Sequence, residues 1–404
     1  LTQIVLLGVI EQGQQGCIVV GYGSGVARHF EAGARGEQLH RCKKIEVVVG
    51  HHETNGVAPR IAAEAVVELP LLVDREGRGL FVVKRAARHV VAAGAAQFQT
   101  LADDLDERLK QVDQALASSP SAAALATLTE FSATNHGRVA AAAFDEVRSD
   151  LEPRLQALMT GPTQIEALPS AERPDYADAA WIHRTTGGWD GHEYQGFIHG
   201  ELIHREYVAR TYPGDIFAQR RQILSVLSRR DYARIFEIGT SSGHYTLQIA
   251  QEFPQAEIWG CDTSQRMLEQ AQRAANERGL HWRLFKGSGE ATGLPAESFD
   301  LVTSYIVLHE IPVAATQAQL AEAYRLLRPG GELLFTDVTR YSALDKRGVR
   351  WAEYNAVHGG EPFWREAASV DLGAAARAAG FAEVRSEGFR GAVYPWFVYG
   401  KKPA

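Results

Sequence analysis

Arg234-Ile235-Phe236-Glu237-Ile238-Gly239-Thr240-Ser241-Ser242-Gly243-His244 is the stretch on which the reading of this chain turns. The apolar run RIFEIG (234–239) has the length and composition of a buried strand, and HYTLQIAQEF (244–253) has the period of a helix. The residues between them are small. Glycine in such a turn lets the backbone come close to a ligand at the carboxyl end of a parallel strand, where open α/β sheets bind. Asp262 then closes the next apolar run, AEIWGCD (256–262). A carboxylate at that place can accept both hydroxyls of a ribose. A glycine-rich turn alone is a weak signal, but strand, turn, helix and acid in this order point to a nucleoside-containing cofactor.

Downstream the chain keeps alternating strand and helix, which calls for a parallel sheet covered on both faces. Strands are expected at HWRLFKG (281–287), FDLVTSYIVL (299–308) and GELLFTDV (331–338). Thr263 or Ser264 caps a helix that carries Met267, Leu268, Ala271 and Ala275 on one side and stops at Gly279. Another helix runs from about Ala315 to Leu327 and is stopped by RPGG (328–331). After a helix within VDLGAAARAAGF (370–381), AEVRSEGF and YPWFVYGKK form a closing hairpin. The expected fold is α/β: a doubly wound, Rossmann-like, mostly parallel seven-stranded sheet with a C-terminal antiparallel hairpin, preceded by an α-helical cap.

Upstream, LADDLDERLKQVDQALAS (101–118) spaces Leu101, Leu105, Leu109, Val112 and Leu116 along one helical face, and its early aspartates suit the helix dipole. A second, Ala-rich helical stretch covers about Ala122–Met159. Gly161–Pro174, with three prolines, reads as a linker. Residues 99–222 are therefore assigned to a helical cap or lid, and 223–404 to the cofactor-binding domain. Residues 1–98 differ in kind: four of the 36 aromatic residues fall there, and their net charge is +2 against −9 for the rest. Three readings compete for this leader. It is a small β-rich domain built from CIVVGYG, KKIEVVVG and GLFVVKR, a nucleotide site at Gly21-Tyr22-Gly23-Ser24-Gly25, or a poorly folding, mis-extended start.

The net charge of −7 over 404 residues argues against nucleic acid as the main partner, since duplex binding leans on Lys and Arg neutralising phosphates. Three scattered cysteines make neither a disulfide framework nor a metal cluster. No run approaches the ~18–20 apolar residues that a membrane span requires. The opening LTQIVLLGVI lacks a basic region and a cleavage site. The expectation is a cytoplasmic protein with no membrane partner, of unassigned oligomeric state.

At this point the residues from about Ile223 to Lys402 resemble the class I S-adenosylmethionine-dependent methyltransferases, of the small-molecule type related to the ubiquinone and menaquinone group. The resemblance rests on EIGTSSGH, GCDTSQRML, LPAESFDLV and YRLLRPGGELLFTDV, together with the hairpin. It implies S-adenosylmethionine as cofactor, with Glu237, Gly239, Thr240, Ser241 and Gly243 along its methionine part and Asp262 and Thr263 at its ribose. Met267 and the loop Ser288-Gly289-Glu290 fall near the adenine, and Ser304 near the end of the fourth strand completes the set. Two positions depart from the pattern: Ser241 replaces the central glycine of the turn, and Ser288 stands where an Asp is common.

Methyl transfer is an in-line displacement in which a protein mainly aligns the reactants and excludes water. Where the acceptor must lose a proton a base is needed, and His309 and Glu310 in SYIVLHEIP follow the fourth strand. The competing reading is that His309 caps the next helix or binds a backbone carbonyl. Ser304-Tyr305-Ile306-Val307 stands where methylases of base or Gln amino groups carry Asp/Asn-Pro-Pro-aromatic, which leaves a hydroxyl or activated carbon of a small molecule as the acceptor. Tyr194, His199 and His204 in WDGHEYQGFIHGELIHREY (189–207), with Trp351 and Trp364, are the substrate-facing candidates. Glu201 and His204 share one face of a regular helix, yet without a further Cys/His pattern no metal is expected. A non-catalytic methyltransferase-like binding protein and a nicotinamide-dependent oxidoreductase are the rivals. The first is motivated by Ser241 and Ser288, and the second lacks a clean Gly-x-Gly-x-x-Gly.

Overall fold

In the computed structural model, the structure describes residues 102–117, 120–169, 174–179, 182–185, 187–209 and 214–404, with four short strand segments near the start. The chain divides into two compact units, Leu1–Val139 and Ala140–Ala404.

Within the first unit, Ile4–Leu6 pairs antiparallel with Val20–Tyr22, and Leu71–Val73 with Gly79–Phe81. Two of the three expected strands thus contain a described segment. KKIEVVVG and the glycines after Tyr22 lie outside the described residues, as does most of the leader. Helix α1 (Leu105–Ala117) has Asp106 and Glu107 in its first turn and buries Leu109 and Val112. Helix α2 (Pro120–Glu146) begins in this unit and runs past its boundary.

The second unit is organised on an eight-stranded sheet. In chain order its strands are β1 (Gln164–Ala167), β2 (Arg234–Ile238), β3 (Glu257–Asp262), β4 (Trp282–Lys286), β5 (Phe299–Tyr305), β6 (Leu327–Asp337), β7 (Ala382–Gly388) and β8 (Trp396–Lys401). Their spatial order is β7-β8-β6-β5-β2-β3-β4-β1. Strands β1 to β6 pair in parallel, while β8 runs antiparallel between β6 and β7. Seven strands correspond to the expected ones. The eighth, β1, corrects the linker reading of 161–174. Pro162 and Pro169 flank Gln164–Ala167 rather than interrupt it, so its backbone is free to pair with β4 from Arg283 to Lys286.

The period-two alternation of the strands sends side chains to both faces. Phe236 and Ile238 pack with Leu320, Ala323 and Leu326 of α7 (Val313–Leu326) and with Leu372 and Ala376 of α10 (Leu372–Ala378). Ile235 packs on the other face with Tyr245 and Ile249 of α5 (His244–Glu252) and with Leu268, Ala271 and Ala275 of α6 (Gln265–Asn276). Each fully buried aliphatic side chain of this kind contributes about 1.5–3 kcal/mol. Of the two residues proposed to cap α6, Ser264 does so, its Oγ accepting from the Met267 N–H at 3.2 Å.

The second unit also contains α3 (Arg148–Ala157), α4 (Ile216–Gln222), α8 (Lys346–Gly359) and α9 (Trp364–Ser369), with shorter helical segments at Asp175–Ala179 and Gln195–Phe197 and a π-helical stretch at Ile198–Val208. The single long helix expected over 122–159 is broken at Val147, between α2 and α3. Among the described residues no helix is long and apolar enough to cross a membrane.

Candidate functional site

The carboxyl ends of β2, β3, β5 and β6 lie side by side, and the polar residues singled out in the sequence collect there. The turn after β2 is held by its neighbour: the N–H groups of Gly239 and Thr240 both donate to the Cys261 carbonyl, at 2.9 and 3.0 Å. Gly239 has φ +78°, and a Cβ on it would sit 2.4 Å from Val307 Cγ2, so no other residue fits. Gly243, at φ +84°, turns the chain into α5. Ser241 holds φ +50° without being glycine, a strained choice. Its backbone N–H donates to Asp262 Oδ2 at 2.8 Å, and the Ser264 N–H donates to Oδ1 at the same distance.

Both carboxylates of this cradle are shifted. Burial raises Asp262 to about 6 against the pull of those two N–H groups, with Glu310 and Asp190 adding to the rise. Glu237, at the end of β2, is 1% exposed and accepts from Thr246 Oγ1 at 2.6 Å. Burial raises it to about 8, Thr246 opposing and Asp262 adding. At neutral pH Glu237 is thus largely a neutral acid, while Asp262 is ionised with lone pairs left on both oxygens.

The rest of the expected cofactor set surrounds this pair unevenly. Thr263 lies half-buried between Asp262 and Ser264, and Met267 is buried in the first turn of α6. Ser288 donates to Glu290 Oε1 at 3.0 Å and accepts from the Glu290 N–H at 3.2 Å. The same Glu290 oxygen also accepts from the Tyr176 hydroxyl at 2.5 Å. Gly289 passes so close to Ile238 that a Cβ would lie 2.3 Å from its Cγ2. Ser304 is fully buried, and its Oγ has no hydrogen-bond partner among the described residues.

His309 neither caps α7, whose N-cap is Pro312, nor binds a carbonyl. It is 3% exposed, and its Nδ1 lies 3.3 Å from Oδ1 and 3.4 Å from Oδ2 of Asp337 at the end of β6. Asp337 also accepts from the Leu308 and Val338 N–H groups at 2.7 Å and is approached by Arg340 at 3.5 Å. Burial would lower the His309 pKa, but Asp337, Glu361 and Glu310 raise it to about 9. Asp337 is correspondingly held below the usual range despite its burial, by His309 and Arg340.

A residue that the sequence reading missed completes this side. His183 stands in a short turn, Ile182–Arg184, at φ +53°. Its backbone N–H donates to the Gly360 carbonyl at 2.9 Å. Its Nδ1 meets Glu361 Oε1 at 2.5 Å, and its Nε2 lies 3.6 Å from Glu310 Oε1. Burial would lower this imidazole too, but Glu361 and Glu310 raise it to about 10. Nothing in the local sequence AWIHRTTGG marks His183. Its role comes from the segment 357–361, the end of α8 and the turn after it, where Arg184 also donates to the His358 and Val357 carbonyls.

The proposed substrate-facing residues separate. Trp364 packs its ring edge-on against His309 at 5.2 Å and so belongs to the cluster. Trp351 instead stacks on Tyr354 at 5.5 Å. Tyr194 is a correction. It is 1% exposed, donates to Glu152 at 2.8 Å, accepts from Gln156 at 2.7 Å and packs on Phe144, so it is a core residue.

His199 and His204 lie on a π-helical stretch, Ile198–Val208, with their rings 4.6 Å apart. The wider turn corrects the regular-helix geometry assumed for Glu201 and His204. Glu201 pairs with Arg205 at 2.6 Å and faces His244 at 3.6 Å. Burial would raise Glu201, but these two partners hold it at about 2. His204 is kept neutral by burial and by the neighbouring His199, Arg220 and His244.

Comparison with known proteins bears on this end of the sheet. Residues 235–331 match the family described as "Methyltransferase domain". A demethylmenaquinone methyltransferase of Thermus thermophilus is 32% identical over 115 residues, which cover 28% of this chain and 51% of that protein. A tRNA N(3)-methylcytidine methyltransferase of Drosophila melanogaster is 34% identical over 28% of this chain and 37% of its own length. A trans-aconitate 2-methyltransferase of Deinococcus radiodurans is 35% identical over 29% and 42%. The chain spans about half or less of the length of these relatives. The matched stretch runs from β2 into β6 and contains the turn, Asp262 and His309, so the likeness to methyltransferase domains falls on the part of the chain that builds this end of the sheet.

Proposed function

We propose that this chain transfers a methyl group from S-adenosylmethionine to a hydroxyl or activated carbon of a small organic molecule. The observation that carries the reading is the cradle formed by the 239–243 turn and Asp262, at the carboxyl ends of two adjacent parallel strands. The donor set suits such a cofactor. Asp262 keeps lone pairs for ribose hydroxyls, and the backbone of Gly239–Gly243 offers an edge without large side chains. When bound, the cofactor supplies an electrophilic methyl group that an acceptor attacks in line as the sulfonium leaves as a thioether.

The chain's own part in that reaction is positioning and proton handling. Asp262 and the turn hold one reactant, while His309 and Glu310, with Trp364 as a wall, face the other. Oriented by Asp337, His309 is placed to exchange a proton with the acceptor; because its pKa is raised to about 9, it takes that proton only in its deprotonated fraction, which grows as the pH rises. Asp337 itself acts as a positioning residue. A small-molecule acceptor rather than nucleic acid is favoured by the net charge of −7 and by Ser304-Tyr305-Ile306-Val307 in place of an Asn-Pro-Pro-aromatic sequence. A cytoplasmic setting belongs to the same reading.

Calorimetric titration of the purified chain with S-adenosylhomocysteine, with NAD as control, tests the proposal. Saturable one-to-one binding of the first and none of the second supports it and opens a screen of hydroxyl and activated-carbon acceptors. Binding of NAD alone overturns it in favour of an oxidoreductase. Cofactor binding with no turnover across the screen moves the reading to a binding protein that has kept the fold.

A further inference from the structure

His183, His309 and Glu310 come from two segments far apart in sequence, and one donor atom from each lies within 4.8 Å of the others. Both imidazoles are oriented in the same way. A carboxylate only accepts, so the nitrogen that faces one must carry the hydrogen. Glu361 therefore fixes His183 with Nδ1 as donor, and Asp337 does the same for His309. In each ring this turns Nε2 toward the same oxygen, Glu310 Oε1, at 3.6 Å for His183 and 3.9 Å for His309. A histidine whose second nitrogen is held by a carboxylate is the usual arrangement around a bound metal. Here it occurs twice around one point.

We propose that His183 Nε2, His309 Nε2 and Glu310 Oε1 bind a divalent first-row transition-metal cation such as Zn2+, leaving a coordination position open to the methyl acceptor. Metal–ligand bonds of about 2.0–2.1 Å at tetrahedral angles put neighbouring donors roughly 3.3 Å apart. The two histidine–glutamate separations, 3.6 and 3.9 Å, exceed this by a few tenths of an ångström, and all three donors lie within 4.8 Å of one another, so the side chains must draw together around the cation.

Charge agrees with the geometry. Asp337, Glu361 and Glu310 bring three negative charges to two imidazoles, and a divalent cation can replace two imidazole protons without altering the net charge of the cluster. Trp364 and Trp189 pack edge-on against His309 and His183, at 5.2 and 5.6 Å between ring centroids, while the His183 and Glu310 side chains keep partial access to solvent, as an open coordination position requires.

The inference rests on the methyltransferase reading for its purpose but not for its test. A cation at this place would acidify a bound hydroxyl or thiol, supplying the activation otherwise asked of a base. It also narrows the acceptor to molecules that carry such a ligand beside the methylated atom.

The test uses the full chain, stripped with a chelator and titrated with ZnCl2 by calorimetry, with Co2+ absorption as a spectroscopic reporter of geometry. One Zn2+ per chain is expected, with affinity falling at least tenfold in both His183→Gln and Glu310→Gln. His183→Gln should keep S-adenosylhomocysteine affinity within about twofold, and both variants should keep the parent's circular dichroism spectrum, which shows that they fold. Failure of Zn2+ and Co2+ to bind to protein that still binds S-adenosylhomocysteine overturns the proposal, as does binding that neither substitution changes. Zn2+ binding without S-adenosylhomocysteine binding would leave the cation site standing and remove the methyltransferase reading instead.

Discussion

The backbone N–H of Ser241 donates to Oδ2 of Asp262 at 2.8 Å, joining the turn after β2 to the acid after β3. This one bond places a left-handed residue and a half-buried carboxylate in a shared geometry. The turn keeps its strained shape because Asp262 holds it, and Asp262 stays ionised near neutrality because the turn supplies a donor. Changes at either residue therefore test the cradle in different ways.

Asp262→Ala removes the carboxylate that would receive the ribose hydroxyls and also frees the Ser241 and Ser264 N–H groups. Loss of a charge-assisted hydrogen bond costs about 1.5–3 kcal/mol. S-adenosylhomocysteine affinity should accordingly fall by about one to two orders of magnitude. Calorimetry on a variant with an unchanged circular dichroism spectrum measures this, and an unchanged Kd would remove Asp262 from the site.

Ser241→Gly tests whether the departure from glycine is a lesion. At φ +50° a serine carries strain of order 1 kcal/mol that glycine does not, and the N–H to Asp262 is a backbone group that survives the change. The variant should melt at the same temperature or slightly higher and bind S-adenosylhomocysteine at least as tightly. Loss of affinity would mean that the serine hydroxyl itself touches the ligand.

Glu237 predicts a pH dependence of stability whose sign is fixed. Its folded pKa, about 8, lies above the ordinary value of 4.5. Its contribution is therefore complete below about pH 4.5 and is lost as pH rises through 8, because ionisation in the buried site is opposed. Glu237→Gln keeps an acceptor for Thr246 and cannot ionise. The melting temperature of the variant relative to the parent should rise between pH 5 and pH 8 and then level off. A difference that is flat or falls over that range would show that Glu237 is ionised in the folded protein.

Much of this site was legible in the sequence because its parts are local. RIFEIG, the small-residue turn and HYTLQIAQEF each carry their own period, and Asp262 follows at the end of the next apolar run. Ser264 as the cap of α6 and the closing hairpin were readable for the same reason. What escaped was set by tertiary contact. Gln164–Ala167 is too short and too near prolines to announce a strand, and it becomes one only because β4 offers an open edge. Tyr194 looked like a polar residue in a lid, yet the partners that bury it, Glu152 and Gln156, lie on α3. His183 gained its meaning from Glu361 and Glu310, neither of them near it in sequence.

His309→Ala separates proton handling from cofactor binding. The ring is directed by Asp337 and, among the described residues, makes no hydrogen bond or ion pair with the 239–243 turn, so S-adenosylhomocysteine affinity should stay within about twofold. Turnover with a competent acceptor should fall by roughly 10²–10⁴, the range of acid–base contributions. Removing the imidazole also leaves Asp337 with Arg340 and two backbone N–H groups, so the carboxylate is not stranded and the fold should survive. A parallel Asp337→Asn substitution should reduce turnover in the same direction but less, because the amide can still meet Nδ1 while it no longer stabilises a charged ring. Steady-state kinetics with kcat and KM resolved would show the loss in kcat. If instead His309→Ala raised only KM, the imidazole would be a binding contact for the acceptor and the proton would leave by another route.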